Sequence, residues 1–309
     1  MSRDIFAGRP ALRRSVYRAM FACVPLVPMQ ISRIIAYFIA LVGWACDHRG
    51  RRVVAANLAP LIPGTKPQAL RRAVRRSYVA FSWMCVENLN LHRLPVSMCR
   101  APFFQICDPW HSLAKPPLAG PAILVCPHVN FELAPAYLNR LNKMERLHAI
   151  SLTHDDPEID QLFDRVRATM GVQSLLVDEA PLASLRHLHD GHLIGIVGDR
   201  DYTGSGLSVP VGRRHIRIPV GPAALSVQTG APIIPTFMAR HGHTRFRFYL
   251  GKPIRPDTTL AKRYQVQGLT EQLTAWYTRC LRAAPCQWVA FHPVWEEGVK
   301  GLGAPPCWV

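Results

Sequence analysis

His128 and Glu132 stand four residues apart in CPHVNFELAP (126–135), directly after the apolar run AILVC (122–126). A neutral imidazole can take a proton from a hydroxyl near neutral pH. A carboxylate beside it fixes one tautomer and stabilises the cation that forms. If a helix begins at 128, the two side chains share one face, a turn apart. The same spacing also fits a helix N-terminus that carries two polar residues and does no chemistry. Either way, a strand, a proline and then a histidine places His128 where a sheet's carboxyl end meets a helix, the place where open α/β folds concentrate ligand sites.

A second strand-end constellation lies in GDRDYTGSGLSVPVG (198–212), with Asp199, Arg200 and Asp201 ahead of a glycine-rich turn. A carboxylate and a guanidinium there could join His128 to hold a phosphate or polarise a carbonyl. A salt-bridged turn is the plainer reading. GRRHIRIPVG (212–221) adds Arg213, Arg214, His215 and Arg217, cations suited to phosphates, to an acidic carrier protein, or simply to a charged hairpin surface. Arg165 and Arg167 are two residues apart on a helical stretch, so at most one of them points at a site. Thr153 to Asp156 fall at another strand end, and His154 and Asp155 read as loop and cap residues. His187, His189 and His192 cluster at a helix end without a matching cysteine or carboxylate set, so no metal site is expected.

The elements that must position these residues follow from periodicity. Strand candidates are 122–126, 147–152, 172–177, 193–199, 232–240 and 244–251, and helical stretches run over 155–170, 180–190, 221–229 and about 267–283. Strands separated by helices imply an α/β protein with a mixed, largely parallel central sheet flanked by helices. The first 118 residues read as mostly helical. TKPQALRRAVRRSYVAFSWMCVENL (65–89) offers a Thr65 cap, an apolar face and an opposite face carrying Arg71, Arg72, Arg75 and Arg76.

The chain has 309 residues, 49% of them hydrophobic, enough for one large domain or two modest ones. The 37 Lys and Arg against 20 Asp and Glu give a net charge of +17, which concerns partners rather than fold. No zinc-finger, helix-turn-helix or RNA-binding aromatic motif is present, so nucleic acid is set aside in favour of an anionic membrane surface or an acidic carrier. Nine cysteines without a CxxC pair fit free thiols in a reducing compartment.

Residues 20–46 are strongly apolar but broken by Pro25, Pro28, Gln30 and Arg33, and basic residues flank them on both sides. This pattern implies an interfacial, membrane-associating helical segment over 1–50, with an internal hairpin or a single span as alternatives. An α/β domain over 51–300 and a tail over 301–309 complete the expected organisation.

The order of these pieces resembles the bacterial lipid A biosynthesis acyltransferase family, the lauroyl and myristoyl transferases, with relatives that acylate mannosylated phosphatidylinositol. The likeness runs over roughly residues 10–298. RRVVAANLAPLIPG with Asn57, GPAILVCPHVNFELA, HDGHLIGIVGDRDYTGSGLSVPVG, GPAALSVQTGAPIIPTFMAR and APCQWVAFHPVWEE with Trp288 and Trp295 are similar to five family blocks, in family order. The family spaces its histidine and acid by four residues; here three intervene. A one-residue deletion after the histidine is therefore read, with Asn130-Phe131-Glu132 aligned to the family's Asn-Trp-Glu.

By that resemblance His128 is the base and Glu132 its carboxylate, with Asp199 in reserve. Asn130 is placed with the substrate-binding residues, and Arg167 and Arg200 are candidates for a substrate phosphate or the developing oxyanion. The resemblance implies transfer of an acyl chain from a thioester of acyl carrier protein or CoA to a lipid hydroxyl. No cofactor and no covalent acyl-enzyme is expected. The expected location is the cytoplasmic face of an inner membrane. A thioesterase acting on water and a non-catalytic membrane-binding homologue remain as alternatives.

Overall fold

The computed structural model describes residues 10–112, 120–141, 147–151 and 156–296. The expected residues Thr153, His154 and Asp155 and the tail 301–309 lie outside them. Four helices come first: α1 (Pro10–Cys23), α2 (Met29–Cys46), α3 (His48–Leu58) and α4 (Pro67–Leu89). The alternating part follows with β1 (Phe104–Cys107), β2 (Ala122–Cys126), α5 (Leu133–Arg140), β3 (Leu147–Ser151), α6 (Pro157–Thr169), β4 (Val172–Leu176), α7 (Ala180–His189) and β5 (Leu193–Val197). Then come a hairpin of β6 (Leu207–Val211) and β7 (Arg214–Ile218), α8 (Gly221–Thr229), β8 (Ile233–His241), β9 (Arg245–Leu250) and α9 (Lys262–Ala283).

Seven strands form one sheet in the order β1-β9-β8-β2-β5-β3-β4, and β6 pairs with β7 apart from it. Only β8–β9 is antiparallel within the large sheet; every other pair is parallel. The central strands β2 and β8 are buried on both faces through most of their length, as in a sheet covered by helices. One core cluster packs Leu133, Tyr137 and Leu138 of α5 on Leu124, Leu147 and Met238; another packs Leu269, Leu273 and Tyr277 of α9 on Ile123, Ile194 and Ile233.

Two local expectations change. β1 is a strand inside the region read as helical; its four residues, FQIC, are too short to show a period. Lys66, not Thr65, sits at the N-cap of α4, and the Thr65 hydroxyl donates instead to the Ile62 carbonyl.

The N-terminal helices rest on this core through small residues and buried charge. α2 turns Ser32, Ala36 and Ala40 inward and packs on α4. Glu87 of α4, nearly fully buried, accepts from Arg33 of α2 and from Arg240 of β8, the latter also at 2.7 Å. Ile31, Ile34, Ile35, Phe38, Ile39 and Val42 remain exposed on α2, spaced as one stripe. α1 is tied to α6 by Arg14, which reaches Asp156 at 3.0 Å and Glu158 at 3.3 Å.

Candidate active site

β2 and β5 run in parallel with Cys126 opposite Val197, and Gly198 N–H donates to the Cys126 carbonyl at 2.9 Å. Neighbouring strands lie ~4.8 Å apart, so residues two past that last pair must emerge side by side. Those residues are His128 and Asp199. Gly198 between them has no room for a Cβ, which would stand 2.6 Å from Val125 Cγ1 and 3.1 Å from the Tyr277 hydroxyl.

Asp199 accepts three hydrogen bonds: from His128 Nδ1–H at 2.5 Å, from the His128 backbone N–H at 3.0 Å and from the Trp288 indole N–H at 2.6 Å. Burial pushes its carboxyl up, but the His128 ring, the indole and the His128 amide outweigh that and hold it below the usual carboxylate range. An ionised carboxylate on Nδ1 fixes the tautomer whose Nε2 carries the free lone pair. The His128 side chain is 19% exposed, and the Phe131 ring meets it edge-on.

Glu132 does not orient the imidazole. Its carboxylate is bound by Arg167, with the guanidinium at 2.8 Å and 3.2 Å. The cause is local: α5 begins at Leu133, not at 128, and Asn130 before it takes the left-handed conformation (φ 46°). The one-face spacing assumed for residues 128 and 132 therefore never forms. Arg167 also reaches Ser174 at 3.3 Å. Burial lowers its pKa, and the Glu132 carboxylate more than reverses that.

Asn130, expected to touch substrate, spends its amide donors inside the protein, on the Met238 carbonyl at 2.9 Å and Gln287 Oε1 at 3.0 Å. Asp201 caps its own turn, accepting from Thr203 and from Gly206 N–H at 2.7 Å. Arg200 lies beside Asp199 with its guanidinium over the Tyr202 ring, 4.5 Å from the centroid. Arg213 and Arg214 are at the tip of the β6–β7 hairpin, and no hydrogen bond or ion pair joins them to His128, Asp199 or Glu132 among the described residues.

The closing segment carries residues that residue spacing alone did not single out. Asn57 of α3 donates to the carbonyls of Ala290 at 2.8 Å and His292 at 2.7 Å and so pins the stretch that delivers Trp288. Val289 N–H donates to the His128 carbonyl at 2.9 Å. His292 is driven down to about 4, first by burial and then by the nearby Arg200 cation. Cys126, Val129 and Phe131, which flank His128, line an apolar cavity of about 90 Å³ under the carboxyl ends of β2, β3 and β5. Glu132 and Arg167 are its polar wall, and Gly195, Ile150 and Met238 are among its apolar ones.

A family model described as bacterial lipid A biosynthesis acyltransferase matches residues 10–297. The chain belongs to this family. Two curated phosphatidylinositol mannoside acyltransferases of Mycobacterium tuberculosis strains are 26% identical to this acyltransferase-family chain over 183 residues, covering 56% of it and 54% of each relative. It thus spans about half the length of those relatives. Another of the same name, from Mycolicibacterium smegmatis, is 24% identical over 90% of both chains. The crystal structure of the 1-acyl-sn-glycerophosphate (LPA) acyltransferase PlsC from Thermotoga maritima superposes with a TM-score of 0.35 at 12% identity, covering 79% of this chain and 97% of that one.

Proposed function

We propose that this protein moves a fatty acyl chain from a thioester of acyl carrier protein or CoA to a hydroxyl of a membrane glycolipid, with His128 as general base. The observation that carries the reading is the buried Asp199 carboxylate on His128 Nδ1, at a sheet edge beside an apolar cavity. Nε2 takes the hydroxyl proton as the oxygen attacks the thioester carbonyl. The C–S bond then breaks, and the same proton leaves with the thiolate. Arg200, which stacks on Tyr202 and forms no ion pair among the described residues, would meet the developing oxyanion or an acceptor phosphate.

A glycolipid acceptor is supported by the relatives, whose names specify phosphatidylinositol mannoside, and by the family description, which names lipid A. The exposed stripe of α2 supports docking in the membrane interface. α2 is 18 residues long, yet it lies against α4, whose Arg71, Arg72, Arg75 and Arg76 are exposed. Four exposed guanidinium groups on the adjoining helix favour a position among anionic headgroups over a span. The cytoplasmic face of an inner membrane is where the thioester donor would be met.

The test is acyl transfer from a long-chain acyl-CoA or acyl carrier protein to a glycolipid acceptor in vesicles. His128→Ala is expected to lower the rate by ~10²–10⁴-fold while vesicle binding is retained. Equal rates for wild type and variant would sink the reading. Lipid mass spectrometry of cells with and without the gene then identifies the acceptor as the species that loses one acyl chain.

A further inference from the structure

The opposite end of the same sheet carries a cluster that acyl transfer does not use. His148 is the second residue of β3, His187 is in the last turn of α7, and His192 immediately precedes β5. β3 lies beside β5 with His148 opposite Ile194, and the chain turns from α7 into β5 with His192 N–H donating to the His187 carbonyl at 2.8 Å. The fold therefore brings three imidazoles together, with one ligating nitrogen from each lying within 4.8 Å of the others. His148 Nε2 and His192 Nδ1 are 2.9 Å apart, and the His148 and His187 rings stack at 3.6 Å. His189, which residue spacing grouped with His187 and His192, is turned to solvent with its side chain 90% exposed. The expectation of no metal site rested on the lack of a cysteine or carboxylate set to match the three histidines; the fold brings in another histidine, His148, instead.

A second, independent observation points to a ligand. His148 is 3% exposed, and among the described residues its Nδ1 has no hydrogen-bond partner; the buried His187 Nδ1 has none there either. Buried imidazole nitrogens are ordinarily satisfied. The open His187 Nδ1 is the atom that a bond to an ion would satisfy, while His148 would bind through Nε2, the nitrogen that faces His192.

We infer that His148, His187 and His192 bind one divalent first-row transition ion, which fastens the end of α7 to the entry edges of β3 and β5. An all-imidazole set suits Zn²⁺, Ni²⁺ or Cu²⁺, whereas Ca²⁺ and Mg²⁺ ask for oxygen ligands. With metal–nitrogen bonds of ~2.0–2.1 Å, neighbouring ligand atoms stand ~2.9–3.4 Å apart in square or tetrahedral arrangements. The His148–His192 pair is already at that separation. Rotation of the half-buried His187 ring out of its stack supplies the third nitrogen, and water completes the shell. Along β5 the site stands roughly 20 Å from Asp199, so its role is structural rather than catalytic.

The test titrates the full-length, chelator-stripped protein with Zn²⁺ or Co²⁺ alone. One equivalent is expected to bind and raise Tm. Co²⁺ should give visible d–d bands without the intense charge-transfer band of thiolate ligation, which separates this site from the free cysteines. The double variant His187→Gln/His192→Gln, at half-buried positions, should bind that equivalent at least ~100-fold more weakly. His189→Gln should bind it as the wild type does. His148→Gln should also lose it, and the double variant decides the matter if that buried change prevents folding. Wild type with a Kd above ~100 μM, or a double variant that keeps the equivalent, overturns the inference.

Discussion

β5 meets a histidine contact at each of its ends, and the two contacts differ in one respect. At its carboxyl end Asp199 approaches His128 to 2.5 Å; at its amino end His192 approaches His148 to 2.9 Å. Both arise from adjacent parallel strands, so the backbone geometry is shared. The partner's charge is not. A buried carboxylate accepting on Nδ1–H fixes the His128 tautomer whose Nε2 carries the lone pair. Burial and the two neighbouring imidazoles instead push His148 down to about 4, leaving a neutral ring with an available lone pair. The same side chain thus meets a carboxylate at one end and imidazoles at the other, set by what the next strand presents.

Removing the charge at the first end is the strongest way to break that contrast. Asp199→Asn keeps size and some hydrogen bonding but loses the anion that stabilises a protonated His128. Acyl transfer should fall by ~10²–10⁴-fold, measured at saturating acyl donor. Glu132→Gln should behave differently, because its partner is Arg167 and both side chains are only 16% exposed. Asp164, 3.5 Å from the same guanidinium, then remains as its carboxylate partner, so the change should cost about 2 kcal/mol of stability in urea denaturation, with transfer reduced less than ~10-fold. If Glu132→Gln slows transfer more than Asp199→Asn does, the carboxylate that serves His128 has been misassigned.

That pair of variants also marks what residue patterns could reveal. AILVC and LIGIV are continuous apolar runs, the mark of strands buried on both faces, so the strands and the residues just past them were legible. Their pairing was not. His128 and Asp199 are 71 residues apart, and the β2–β5 register joins them, whereas Glu132 was favoured by its closeness in sequence and by the family resemblance. The left-handed turn at Asn130 cancels the local argument, and its φ of 46° leaves no trace in hydrophobic period. His148 was hidden in the same way. In LHAIS it looks like one polar residue of an alternating strand, and it meets His187 and His192 only because β3 lies beside β5. β1 was missed because four residues carry too little pattern against a helical background.

The smallest expected effect tests whether the charged end depends on its third donor. Trp288→Phe keeps an aromatic ring and deletes the indole N–H that reaches Asp199 at 2.6 Å. A hydrogen bond to a charged group is worth about 1.5–3 kcal/mol, and its loss weakens only the ionised form. Asp199 has a depressed folded pKa, so it contributes stability above the ordinary carboxylate range near ~3.9, and that contribution is lost as pH falls through the lower folded value. Raising the folded value by removing the indole donor makes the loss begin at higher pH. Acid unfolding of Trp288→Phe, followed by circular dichroism, should therefore have its midpoint above that of wild type, with the two differing most in Tm near neutrality and converging once the carboxyl is protonated in both. An unmoved acid midpoint would mean that His128 alone keeps the carboxylate ionised, and the contrast between the two ends of β5 would then rest on a single pair.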